Sequence, residues 1–163
     1  MKARKGFTLV ELLIVIIIIG ILAAAMLLSS GSATASAEAS NIVNNLRSLK
    51  SASLLYYADK LDAMRGDNAA DVPLIDDIKK YMDNPNAPGL DGYTIVFVGD
   101  GNWGDKTWYI GAPVSRADVK TRLQGRAESI GLYNAATAAD PAKGDYSTGD
   151  VCYILIRSAR DIS

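Results

Sequence analysis

FTLVELLIVIIIIGILAAAMLL, Phe7 to Leu28, is a run of 22 residues with a single ionisable side chain, Glu11. A helix rises about 1.5 Å per residue, so this stretch is long enough to cross a hydrocarbon layer roughly 30 Å thick. The expectation is a membrane-spanning helix. Immediately before it stands MKARKG, residues 1–6, in which Lys2, Arg4 and Lys5 are basic. Cations on that side hold the short N-terminal segment in the cytoplasm and send the rest of the chain across the membrane.

Outward from the apolar run, SSGSATASAEAS (29–40) is small and polar and reads either as a linker or as helix surface poor in bulk. Ile42, Leu46, Leu49, Ser53 and Tyr56 then recur in steps of four, three, four and three. That spacing places them on one stripe of a helix. No proline interrupts residues 7–72. The pattern predicts one long helix, or two nearly collinear ones, from about Phe7 to about Met64, ended near Gly66 by the turn residues RGDN. Its first half is apolar all round, its second on one stripe only.

The remainder reads as a head. PLIDDIKKYM (73–82) opens with proline, carries Asp76 and Asp77 early and Lys79 and Lys80 late, and so suits a short helix and its dipole. After the turn-rich DNPNAPGLDG, the runs YTIVFV (93–98) and TWYIGA (107–112) are β-branched and aromatic, and GDGNWGDK between them suggests a hairpin. Ser115 would open a helix over about 115–130, stopped by Gly131. A polar loop leads to a last strand, VCYILI (151–156). The predicted class is α+β: a long N-terminal helix packed on a small antiparallel sheet. The expected division is a leader at 1–6, the long helix at 7–64 and a globular head at 65–163.

Composition narrows the function. There is no histidine, and Cys152 stands alone, so intramolecular disulfides, the usual zinc sites and His-assisted nucleophiles drop out. Carboxylates alone can support glycoside hydrolysis, but no pair stands in a recognisable context for it. No enzyme activity and no cofactor are expected. The formal charge is −1, from 17 basic and 18 acidic side chains, and gives no sign of a nucleic-acid site. Without the leader's three cations the chain would carry 14 basic and 18 acidic side chains.

Glu11 sits one turn inside the apolar run, where a charge costs about 2–3 kcal/mol near a bilayer centre and less towards its edge. It needs a partner. Gly6, small and flexible at the cytoplasmic edge, is a candidate cleavage point, and cutting there would leave a positive α-amine on Phe7 within about one helical turn of Glu11. In a staggered stack of identical helices, the carboxylate of one subunit could meet the amine of the next and set the register.

The stretch GFTLVELLIV at 6–15, with Gly20 and ILAAA at 21–25, resembles the class III signal of type IV pilins and of type II secretion pseudopilins. The resemblance implies that a prepilin peptidase cuts after Gly6 and N-methylates Phe7, and that Glu11 guides assembly. It further implies a helical homopolymer, with the inner-membrane assembly machinery and minor pilins as further partners. The precursor would sit in the inner membrane with its head outside the cytoplasm, and the assembled product would be a surface filament serving adhesion, motility or DNA uptake. A periplasmic pseudopilus is the alternative. The chain departs from many family members in having Leu28 where they have proline, which moves any helix loosening to Gly20 or Ser29–Gly31, and in lacking a C-terminal disulfide.

Blander readings compete. Ala33-Thr34-Ala35 and Ala35-Ser36-Ala37 mimic signal-peptidase sites, yet an h-region of about 7–15 residues is normal and this one is longer. A plain anchor carrying a tethered or secreted binding module leaves Glu11 without a reason. Asp100, Asn102 and Asp105 could offer oxygen ligands to Ca²⁺, although their spacing is not that of an EF-hand and suits a turn. Cys152 shares a strand face with Ile154 and Ile156, which predicts a buried thiol. Tyr56, Tyr57, Trp103, Trp108 and Tyr109 read as packing or rim aromatics, and Asp118, Lys120 and Arg122 as a solvated helix face.

Overall fold

A computed structural model describes residues 6–60, 73–99, 106–136 and 144–157, with the backbone alone at 28–30. Helix α1, Leu9–Asp59, runs unbroken for 51 residues. The small residues of 29–40 are therefore helix and not linker. Ser and Thr in this stretch bond back to the preceding turn: the Thr34 hydroxyl donates to the Gly31 carbonyl and the Ser40 hydroxyl to that of Ser36, both at 2.9 Å. The helix ends at Asp59, short of the expected Met64, with the Lys60 N–H closing on the Tyr56 carbonyl at 3.0 Å. The expected stop at Gly66 lies outside the described residues.

The two halves of α1 have opposite surroundings. From Leu9 to Leu27 every side chain is exposed. From Ala35 onward one stripe is buried: Ala35, Ala39, Val43, Leu46, Leu49, Ala52 and Ser53. The expected stripe was right at Leu46, Leu49 and Ser53 but is displaced at its ends. Val43, not Ile42, is buried, and Ile42 and Tyr56 flank the core half-covered. Alanines continue the stripe towards the N-terminus because they let the sheet and a head helix approach the α1 backbone.

Helix α2, Ile75–Lys79, is a short turn in which the Asp77 carboxylate accepts the Leu74 N–H at 3.3 Å. It stops before the expected Met82. Strands β1 (Thr94–Val98) and β2 (Thr107–Pro113) form the expected antiparallel pair, Ile95 opposite Ile110. The expected helix over 115–130 is two helices, α3 (Ala117–Gln124) and α4 (Ala127–Ile130), separated by Gly125 and Arg126. Arg116, not Ser115, occupies the N-cap of α3, with no side-chain cap bond. Gly131 ends α4 in the left-handed region, φ 76°, which glycine adopts without strain.

A two-residue strand, β3 (Leu132–Tyr133), and β4 (Val151–Arg157) complete a sheet in the order β1-β2-β4-β3, every pair antiparallel. α1 packs on β2, β4, α2 and α3. The sheet face towards it carries Trp108, Ile110, Ala112, Cys152, Ile154 and Ile156, all buried. Phe97 and Tyr57 meet Trp108 edge-on at 4.8 and 5.4 Å. On the opposite face Tyr109 is buried against Tyr133, their rings 6.2 Å apart. Trp108, Tyr109, Tyr56 and Tyr57 thus serve packing, as expected, while Trp103 lies outside the described residues.

Candidate functional site

The N-terminus of α1 is built by a capping box. Thr8 adopts an extended conformation, φ −79° and ψ 152°, and its hydroxyl accepts the Glu11 N–H at 3.2 Å. In return one oxygen of Glu11, Oε2, accepts the Thr8 N–H and the Thr8 hydroxyl, each at 2.8 Å. Reciprocal bonds of this kind satisfy backbone donors that the first turn of a helix leaves unpaired. Glu11 therefore has a partner inside its own chain, which the sequence reading did not foresee, although Thr-x-x-Glu at 8–11 is the spacing of such a box.

Gly6 and Phe7 precede the helix and stand clear of the rest of the chain. Phe7 is 90% exposed. Nothing lies within 4 Å of where a Cβ on Gly6 would sit. An exposed dipeptide ahead of a capped helix is backbone that a peptidase can reach. Lys2, Arg4 and Lys5 lie outside the described residues, as do Asp100, Asn102 and Asp105. Among the described residues no group of three or more His, Cys, Asp or Glu could hold a metal ion.

Where α1 enters the head, three arginines cross to it. Arg116 Nη1 bonds Glu38 Oε2 at 2.8 Å, Arg122 Nη2 donates to Ser32 Oγ at 2.7 Å, and Arg126 Nη1 donates to Ser40 Oγ at 3.3 Å. Arg116 also grips Asp118 at 2.6 Å, and that bond holds the Asp118 carboxyl below its usual value. Lys120 pairs with Asp150. Asp118, Lys120 and Arg122 are consequently part of a polar seam and its neighbouring ion pairs, not the purely solvated face expected from their sequence. Cys152 is fully buried, and burial pushes its thiol up to about 12.

Residues 1–27 match the family model described as the prokaryotic N-terminal methylation motif. The N-terminus is a class III signal. This signal belongs to the precursors of type IV pilins and pseudopilins and directs a chain to prepilin peptidase. Together with the exposed apolar half of α1 it supports a pilin-like or pseudopilin-like precursor anchored in a membrane. The match ends at residue 27 and so does not reach the head. No curated protein and no solved structure matches the chain.

Proposed function

We propose that this chain is a structural subunit that loses residues 1–6, becomes methylated on Phe7, and polymerises through α1 into a type IV filament at the cell surface. The observation that carries this reading is the class III signal on a helix whose side chains from Leu9 to Leu27 are all exposed in the single subunit. Such a surface is stable only in lipid or against copies of itself. Each side chain buried there contributes on the order of 1.5–3 kcal/mol, so packing supplies affinity and Glu11 is left to set register.

The capping box is compatible with that role. Both Thr8 bonds land on Oε2, so Oε1 remains to receive the α-amine of a neighbour's Phe7 once the leader is gone. A charge-assisted bond of this kind would hold one subunit at a fixed stagger against the next. Lys2, Arg4 and Lys5 serve as the cytoplasmic stop before cleavage. A pseudopilin confined to the periplasm shares every one of these features and is the second reading.

N-terminal sequencing and intact mass of filaments sheared from cells test the proposal. Long filaments built from a chain beginning at methylated Phe7 are expected. The same chain confined to the envelope selects the pseudopilin, and a mature chain beginning near Ser36, or still carrying residues 1–6 in filaments, overturns both.

A further inference from the structure

The seam arginines lie at different heights above the apolar run. With Phe7–Leu28 across the hydrocarbon layer, Ser32 is four residues beyond its edge, about 6 Å along the helix. The polar headgroup layer adds about 5–7 Å on each side of a bilayer. A tilt of about 20°, average for single spans, shortens the height by less than a tenth. Arg122, held on Ser32 at 2.7 Å, therefore falls within the headgroup layer. Arg116 and Arg126 meet α1 at Glu38 and Ser40, roughly 15 and 18 Å beyond Leu28, and stand clear of it.

Charge separates Arg122 from Arg116 and Lys120, while Arg126, on the neutral Ser40 hydroxyl, differs from it in height alone. Arg116 is neutralised by Glu38 and Asp118, and Lys120 by Asp150. Arg122 is exposed, and its bond among the described residues goes to a neutral hydroxyl on Ser32, with no carboxylate in an ion pair. A guanidinium keeps several donors in a planar fork that matches phosphate oxygens. One of its nitrogens is committed to Ser32, which fixes the fork against α1 and leaves the others pointing elsewhere.

We infer that Arg122 binds the phosphate of a phospholipid headgroup in the outer leaflet of the membrane that α1 spans, and so seats the head on the bilayer before assembly. The inference rests on the membrane-anchored precursor proposed above. The contact works as a depth stop for α1 at the outer face of the bilayer. Withdrawing the subunit into a filament must break it, so anionic headgroups would slow that step. One basic side chain near such a surface changes an equilibrium about fivefold.

The test uses the full chain with ¹³C-labelled arginine in bilayers of phosphatidylethanolamine and phosphatidylglycerol. Dephasing of guanidinium carbons by lipid ³¹P in solid-state NMR reads direct proximity. Arg122→Gln should remove part of the dephased signal, and Arg126→Gln should leave it intact. Flotation with the vesicles is measured on the same samples. Chains that float but lose no signal on Arg122→Gln overturn the lipid contact alone. Chains that do not float overturn the anchored reading and the contact with it. Arg122 dephasing found only with inorganic phosphate in phosphorus-free detergent micelles would assign a free anion and also overturn it.

Discussion

Gly144 offers the sharpest test of how the head is built. A Cβ placed there would lie 2.1 Å from the Ala127 carbonyl oxygen, 2.8 Å from its carbon and 2.8 Å from the Leu132 nitrogen. All three are backbone atoms, of the first residue of α4 and the first of β3, so none can rotate aside. Gly144→Ala must instead lift the chain that enters β4, and two residues later the Tyr146 N–H donates to the Leu132 carbonyl at 3.0 Å. Overpacking at a tight site costs about 1–3 kcal/mol, and loss of one buried hydrogen bond adds about 1 kcal/mol. A destabilisation of roughly 2–4 kcal/mol in a head of this size lowers Tm by on the order of 10–20 °C. Near-UV circular dichroism of the full chain in mild detergent follows the tyrosine and tryptophan packing through the melt. Gly31→Ala is the matched control, since nothing lies within 4 Å of its Cβ position and α1 is already helical there. A Gly144→Ala head that melts with the parent would refute the close approach of this loop to α4.

Three further outcomes are expected. Leu46→Ala, at a fully buried position where α1 meets the head, should cost about 2–5 kcal/mol, read as a lower denaturation midpoint with the exposed apolar half of α1 unaffected. The Cys152 thiol and the Tyr93 and Tyr146 hydroxyls are each pushed by burial up to about 12. Since these folded values exceed the unfolded ones, their contribution is intact at neutral pH and is lost as pH rises from about 9 towards 12. Equilibrium unfolding across that range should show a falling midpoint, and Cys152 should resist thiol reagents at neutral pH until the head unfolds. Glu11→Ala should leave membrane insertion and cleavage at Gly6 intact while reducing filament yield, and an unchanged yield of sheared fibres would remove Glu11 from its proposed role.

What the sequence made legible follows from how strongly each signal is written in side-chain chemistry. The long helix was readable because no proline stands between Phe7 and Asp59, and because its apolar half contains one charge. Strands β1, β2 and β4 were readable from dense β-branched and aromatic runs. β3 was not, because Leu132–Tyr133 is too short to show alternation and exists by pairing with Ile154 and Tyr153. The buried stripe of α1 was displaced because Ala35, Ala39 and Ala52 carry little hydropathic weight, although their smallness permits the close packing. The break at Gly125 was hidden by helix-forming neighbours on both sides. At the N-terminus the Thr8–Glu11 spacing is that of a capping box, but a lone carboxylate in an apolar run points equally to an external amine.

The bare half of α1 also governs how the subunit travels. Phe7, Leu9 and the isoleucines from Ile14 to Ile21 turn no face towards their own head, so a molecule released singly into water would present a greasy rod to the first similar surface it met. On the proposed reading, hand-over from bilayer to polymer would proceed without an aqueous stopover, each copy sliding from lipid directly onto its predecessors. Growth would accordingly take place at the membrane, and the supply of subunits would be metered by lateral diffusion in the bilayer.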